Sequence, residues 1–360
     1  MPVIDTWLTS MLDKGGSDLH LTVGQPPRAR IHGELDALTS TPIVPETMAS
    51  VLQEICPAAR WQSFTTTWDA DFAYEIPGVA RFRANYFRDK QGMGAVLRQI
   101  PARIKTLEEL HLPAVLRDIC QYRRGLVFVT GPTGSGKSTT MAAMIDYINR
   151  GYYRHIITIE DPIEFVHTNQ KSVIIQREVG ENARSFAVAL ASAMRGDPDV
   201  ILVGEVRDLE TMGLALDCAA MGMLVFATLH TNSAAKTIDR VIDMFPADEQ
   251  DQVRMALAEG LVSVVSQVLC RTADGAGRVA AHEVLRYTEA LPNTIRRGQT
   301  TSLKTLVETG RSLGMFSLEQ SLRGLLTEGR ITTAEAYAKA NAKEEFAAQL
   351  PDETLLQEST

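Results

Sequence analysis

Gly131-Pro-Thr-Gly-Ser-Gly-Lys-Ser-Thr139 satisfies the pattern G-x-x-x-x-G-K-[ST], with Gly131, Gly136, Lys137 and Ser138 at the fixed positions and a further glycine at 134. An apolar run, GLVFVT over 125–130, precedes it and predicts a strand; Thr139 to Asn149 follows and predicts a helix. Glycines allow the backbone to wrap an anion closely and turn its N–H groups inward. The first turn of the following helix adds a favourable field for negative charge. Pro132, Thr133, Ser135 and Thr139 complete such a cradle, Lys137 is placed to reach β- and γ-phosphates, and the Ser138 hydroxyl is placed to bind Mg²⁺. A glycine-rich turn with no ligand would leave the strand, loop and helix context without a reason. The stretch reads as a nucleoside triphosphate site.

With 360 residues the chain has material for two domains and a large core. Apolar residues make up 45% and charged residues 22%, an ordinary globular balance, and the formal net charge of −8 argues against a protein that coats nucleic acid. The four cysteines, Cys56, Cys120, Cys218 and Cys270, stand far apart without a CxxC pair or zinc-like spacing. No signal peptide and no long apolar span is seen, so the expected home is the cytoplasm and any membrane contact peripheral.

Residues 1–100 are expected to form a small α+β domain. Apolar residues at Ile4, Trp7, Leu8, Met11 and Leu12 mark a helix ending at Gly15-Gly16; alternation then marks strands on either side of the Pro77-Gly78 turn. A polar linker follows over 101–112. Over 113–289, strands at Leu126–Thr130, His155–Glu160, Val200–Gly204, Leu224–Leu229 and Val279–Val284 alternate with helices such as Ser185–Arg195, Leu209–Met221 and Ala234–Asp243. That alternation implies an α/β sheet covered on both faces. Residues 290–346 show helical patterning only, and a chain ending near Arg286 is expected to keep its nucleotide site; residues 347–360 form an acidic, polar tail.

Other strand ends carry acids. Thr158-Ile-Glu-Asp-Pro-Ile-Glu164 gathers three carboxylates, suited to orienting a water or holding Mg²⁺. Asp199-Val-Ile-Leu-Val-Gly-Glu205 is an apolar strand delivering Glu205 to the carboxyl edge, with Arg207 and Asp208 placed to respond to its charge. Thr228-Leu-His-Thr-Asn232 brings His230 to the same edge. Arg81, Arg83 and Arg98 lie far from the phosphate loop in sequence. Singly they read as solvated strand faces; as a group they could supply charge to a phosphoryl group in a neighbouring subunit, as arginine fingers do.

GPTGSGKST, ITIEDPIEFVH (157–167), DPDVILVGEVRD (197–208) and TLHTNSAAKTIDRVIDMFP (228–246) together resemble the secretion ATPase superfamily, and within it the type IV pilus retraction (twitching motility, PilT-type) ATPases. GGSDLHLTVGQPP (15–27), ARFRANYF (80–87) and GMFSLEQSL (314–322) extend the resemblance over nearly the whole chain. It implies a PAS-like N-terminal domain, a RecA-like P-loop ATPase core, C-terminal helices and assembly into a homo-hexameric ring. It further implies ATP and Mg²⁺ as cofactors, pilus retraction as the work done, and an inner-membrane platform protein as partner. Lys137 and Ser138 then make the Walker A contacts, Glu164 is the general base, Glu205 is the Walker B acid holding Mg²⁺ through water, and His230 lies in the histidine box. Arg81, Arg83 and Arg98 match the region supplying trans-acting arginines. No paired-CxxC element is present, which separates the chain from assembly ATPases.

Two stretches depart from the family pattern. Where retraction ATPases carry AIRNLIRE, this chain reads Ala290-Leu-Pro-Asn-Thr-Ile-Arg-Arg297, and where they carry AETGH it reads Ala219-Ala-Met-Gly-Met223. A proline inside a helix costs a hydrogen bond unless it sits in the first turn. These departures motivate an alternative, an accessory ring subunit working with a paralogous retraction ATPase. A nucleic-acid translocase is a third reading, opposed by the acidic balance and the lack of an aromatic and basic stripe.

Overall fold

A computed structural model describes residues 2–31, 33–100 and 103–348; residues 101 and 102 of the expected linker and 349–360 of the expected tail lie outside it. Two compact units emerge. One holds the described residues up to Arg103 together with Asp161–Val166, and the other holds Ile104–Glu160 and the described residues from His167 onward.

The first unit runs α1 (Val3–Asp13), β1 (Gly16–Thr22), β2 (Arg28–Ile31), β3 (Glu34–Ala37), α2 (Pro45–Ile55), α3 (Ala58–Thr67), β4 (Asp69–Ile76), β5 (Ala80–Arg88) and β6 (Met93–Ile100). Its strands form one antiparallel sheet in the order β3-β2-β1-β6-β5-β4. The period-two pattern of β5 decides which face is covered. Phe82, Ala84 and Tyr86 are buried with Leu8, Met11, Leu52 and Phe64 of the three helices, and the Tyr86 hydroxyl donates to the Leu52 carbonyl at 3.0 Å. Arg81 and Arg83, one step out of phase, stay on the opposite face.

The second unit runs α4 (Val115–Cys120), β7 (Gly125–Thr130), α5 (Lys137–Gly151), β8 (His155–Glu160), β9 (Val173–Glu178), α6 (Phe186–Ala193), β10 (Val200–Val203), α7 (Leu209–Ala220) and β11 (Leu224–Leu229). It continues with α8 (Ala234–Asp243), α9 (Gln250–Gly260), β12 (Leu261–Arg271), β13 (Arg278–Arg286), α10 (Leu291–Arg296), α11 (Ser302–Thr309), α12 (Leu318–Thr327), α13 (Thr333–Lys339) and α14 (Glu344–Ala347). Seven strands pair in the order β13-β12-β7-β11-β10-β8-β9; all are parallel except the edge strand β13. This is the α/β, RecA-like core that the sequence implies, with β9 and β12 additional to the five expected strands.

Every residue of β7, β10 and β11 is buried, which is why these strands read as unbroken apolar runs. Alternate side chains feed two cores. Phe128, Ile201, Val203 and Val225 pack with α6 to α9, while Val127, Val129, Leu202 and Phe226 pack with α4 and α5. Helix starts are fixed locally. Ser185, Asp208, Ser233 and Thr332 each accept a backbone N–H at an N-cap, and Ser317 with Gln320 closes a capping box on α12.

The residues after 290 do not stand apart as the sequence suggests. Leu291, Ile295, Leu303, Val307 and Met315 are all within 2% exposure and belong to the same core as Phe128 and Val225. Leu318, Leu322 and Ala336 pack with Cys270 and Ala281 of β12 and β13. Leu107, inside the expected linker, is likewise buried against the second core. Pro292 falls in the first turn of α10, where its missing N–H breaks no bond, so the departure from the family pattern leaves the helix whole.

The expectation for a chain ending at Arg286 is therefore reversed. Each lost apolar side chain is worth roughly 1.5–3 kcal/mol of burial, and five of them rival the whole of a typical net stability of about 5–15 kcal/mol. Truncation at Arg286 should abolish soluble, nucleotide-binding protein; a soluble fragment that binds a fluorescent ATP analogue like the intact chain would show these helices to be dispensable.

Candidate active site

The phosphate loop leaves β7 through Gly131 at φ +147°, and Gly134 and Gly136 also hold positive φ. Space is as restrictive as conformation. A Cβ on Gly131 would come within 2.2 Å of the Gln267 carbonyl oxygen, and one on Gly136 within 2.9 Å of Gln267 Nε2. Lys137 Nζ donates to the carbonyls of Gly131 and Pro132 at 2.8 and 3.0 Å, which curls its ammonium over the loop. Ser135 Oγ is buried without a hydrogen-bond partner among the described residues. Orphaned buried hydroxyls are uncommon, and an anion in the loop would satisfy this one.

Parallel pairing sets the remaining groups at one edge. Thr130 is level with Leu229 across β7 and β11, and Val203 is level with Ala227 across β10 and β11. Two residues past Val203 comes Glu205, and one past Leu229 comes His230, so both follow the strand ends on the side where the phosphate loop leaves. They meet. His230 Nε2 lies 2.9 Å from Glu205 Oε1, and Arg207 Nη2 donates to Glu205 Oε2 at 2.8 Å. The Arg207 bond leads in holding the Glu205 carboxyl below its usual range; partial burial opposes it and His230 adds to it. Asp208 does not share in this cluster. It caps α7, accepting the Thr211 N–H at 2.8 Å.

The turn beyond His230 is tied to distant chain. Asn232 Nδ2 donates to Asn341 Oδ1 at 3.1 Å, and the Ala234 N–H donates to Glu283 Oε1 at 2.7 Å. A cleft of about 410 Å³ opens beside the loop, lined by Pro132 to Ser135 and by Leu269, Arg271 and Lys339 among others. A larger cleft of about 850 Å³, between α12 and Pro113–Val115, includes no residue of the loop. The chemistry points to the smaller one.

The donor set fits MgATP. Among the described residues no three His, Cys, Asp or Glu side chains are grouped to cage a metal alone. Mg²⁺ commonly takes one or two protein ligands and completes its shell with phosphate and water, and Ser138 at the start of α5 with Glu205 at the strand edge supply that number.

The three carboxylates grouped by the sequence divide between the units. Glu160 ends β8 and accepts from the Thr158 hydroxyl at 2.7 Å and from Gln176 at 3.3 Å. Glu164 belongs to the first unit, with Oε1 3.9 Å from Arg83 Nη1. The arginines gather as well. Arg83 stands directly opposite Arg98 across β5 and β6, and Arg81 shares their face two residues along. Arg98 also reaches Asp18 at 2.6 Å across β1, and Arg83 lies 3.4 Å from Asp71. Sequence reasoning found these arginines without seeing that the sheet register aligns them. It missed Gln267, whose apolar surroundings gave no sign of a site.

Comparison with known proteins bears on this arrangement. The family model described as type II/IV secretion system protein matches residues 1–341. The chain belongs to this secretion-system family. Within the family it is 49% identical over 333 residues to the type IV pilus retraction ATPase PilT of Pseudomonas aeruginosa, covering 92% of this chain and 96% of that one. It is 47% identical over 318 residues to a twitching motility protein of Neisseria gonorrhoeae, covering 88% and 85%. The type IV pilus ATPase PilU of Pseudomonas aeruginosa is 42% identical over 335 residues, covering 93% and 88%. A crystal structure of the pilus retraction motor PilT with bound ADP superposes with a TM-score of 0.88 at 41% identity, covering 97% of this chain and all of the other.

If Arg207 leads in keeping Glu205 ionised, Arg207→Ala should return the Glu205 titration upward toward the ordinary carboxylate range. A depressed carboxyl contributes stability above its unfolded pKa and loses it as pH falls through the folded value, so in the variant this contribution should shrink and the pH window of its loss narrow from the acid side. Carboxyl-carbon NMR of Glu205 reads the shift directly; an unmoved titration would show that Arg207 is a bystander.

Proposed function

We propose that this chain is an ATP-hydrolysing motor that powers type IV pilus retraction, working as a homo-hexamer against an inner-membrane platform protein from the cytoplasmic side. The observation that carries the reading is the Glu205–His230 pair at the strand edge where the phosphate loop leaves the sheet. Likeness to the retraction ATPase and to the twitching motility protein, over more than four fifths of each chain, supplies the task. Among the described residues no helix is long and apolar enough to cross a membrane.

In this reading the backbone N–H groups at Gly134 to Thr139 hold the β-phosphate, and Lys137 gives up its carbonyl contacts to meet the γ-phosphate. Ser138, and Glu205 through water, would hold Mg²⁺, which when bound would offset phosphate charge. Glu205 orients that side of the site, and His230, bonded to Glu205, registers whether a γ-phosphate is present. Glu164 takes the proton from the attacking water. Arg81, Arg83 and Arg98 complete the site in a neighbouring subunit, which makes hydrolysis depend on ring assembly. The proline that favours an accessory role on sequence grounds sits harmlessly in the first turn of α10, so the motor reading stands first.

Glu164→Gln should keep ATP binding while turnover falls by about 10²–10⁴, the usual contribution of a general base. Normal turnover in this variant, with loss in Glu160→Gln instead, would move the base to Glu160. In cells, deleting the gene should leave labelled pili that extend but no longer retract; unchanged retraction, with every paralogue also deleted, would refute the motor reading.

A further inference from the structure

The phosphate loop rests on a buried polar floor that no part of the reading above uses. β12 runs parallel to β7, and the pairing of Ser266 with Thr130 puts the next residue, Gln267, beneath the start of the loop. Gln267 is 2% exposed, and all of its side-chain polar atoms are engaged. Nε2 donates to the Ser135 carbonyl at 2.6 Å. Oε1 accepts from the Thr140 hydroxyl at 2.7 Å and lies 3.1 Å from His282 Nε2. One end of this amide thus holds the loop, and the other holds the first turns of α5.

Chemistry fixes which way each group points. The Ser135 carbonyl can only accept, so the amide nitrogen must face it and the amide oxygen must face Thr140 and His282. An amide oxygen only accepts, so His282 carries its proton on Nε2. His282 is wholly buried, and burial draws its pKa down to about 4, so the ring is neutral at physiological pH. It is also the cross-strand partner of Gln267 on β13, and its own N–H donates to Ser321 of α12 at 3.1 Å. The backbone that carries the ring is thus held beside the amide from two sides.

We infer that Gln267, oriented by His282, is a positioning residue for nucleotide binding, holding the Ser135 carbonyl and Thr140 so that the loop N–H groups converge on one phosphate. The inference rests on the ATPase reading. Gln267 touches neither substrate nor reacting atoms; it acts through the backbone that does. Gly131 and Gly136 serve the same fit, because a side chain at either would push the loop off this floor.

The test uses the full-length chain, ATP turnover and equilibrium binding of a fluorescent ADP analogue. Gln267→Glu keeps the shape and the acceptor but turns a carboxylate oxygen toward the Ser135 carbonyl; Gln267→Leu removes both ends. Either should raise KM for ATP and the analogue Kd by about 10–100-fold, the range expected when a buried partner is left unsatisfied. The turnover number at saturation should move little, the signature of lost binding rather than lost chemistry. The melting-temperature gain on adding ADP should shrink, which a merely structural residue would not cause. His282→Leu should weaken binding in the same way, and His282→Gln, which restores a donor, should recover most of it. If both Gln267 variants fail to fold, Thr140→Val keeps the volume, removes one bond to the amide and should raise KM several-fold. Wild-type KM and an unchanged ADP-induced melting shift in the folded variants would overturn the inference. A wild-type chain that neither binds nor turns over ATP would instead sink the ATPase reading itself.

Discussion

A Cβ on Gly131 would stand 2.2 Å from the Gln267 carbonyl and 2.6 Å from Ser135 Oγ, so β7 and β12 can lie side by side at the loop only with a bare backbone at that position. Much else follows from that closeness. Because β12 abuts the loop, its residues form the floor, and because β13 pairs with β12, His282 is brought within reach of the same amide. Because α10 to α13 pack over β12, β13 and the α7–α9 side of the sheet, these C-terminal helices are built into the unit that carries the phosphate loop.

The parallel register does the rest of the placing. β11 lies between the loop strand β7 and the acid strand β10, so His230 emerges between the phosphate loop and Glu205. Each strand is short and buried on both faces, and each ends where its apolar run ends. The chemistry therefore collects at one edge without any long-range search by individual side chains. Asn232 and Ala234 then fasten the turn after His230 to Asn341 and Glu283, which joins the edge where the phosphate loop leaves the sheet to β13 and to the segment between α13 and α14.

Those same features explain what the sequence discloses. β7, β8, β10 and β11 are legible because burial on both faces demands unbroken apolar runs, and a polar motif marks the end of each. β12 is hidden. LVSVVSQVLCR over 261–271 follows α9 directly, and Ser263, Ser266 and Gln267 interrupt its apolar run because they face buried hydroxyl and amide partners rather than water. Helix α3 also escapes, since Phe64 is the one residue it buries and no apolar stripe marks it in the sequence. The arginines are visible as residues, but their alignment is a property of β5–β6 pairing, which only tertiary register reveals. Glu164 illustrates the limit most plainly: it stands four residues beyond a core strand, yet its segment packs with the first unit.

The distance in sequence between loop and floor has a consequence for the chain as it is made. All of the recognisable nucleotide motifs are complete once His230 has been synthesised, but the floor at Gln267 follows 136 residues after Gly131, and its partner His282 later still. Contacts of that separation close late, after local helices and neighbouring strands have formed. A nascent chain that has reached only Gly260 thus displays an apparent ATP site with nothing beneath it, and its exposed β7 edge awaits β12. Nucleotide affinity should accordingly arise near the end of synthesis, so that ATP rewards the finished unit and offers little to its unfinished precursors.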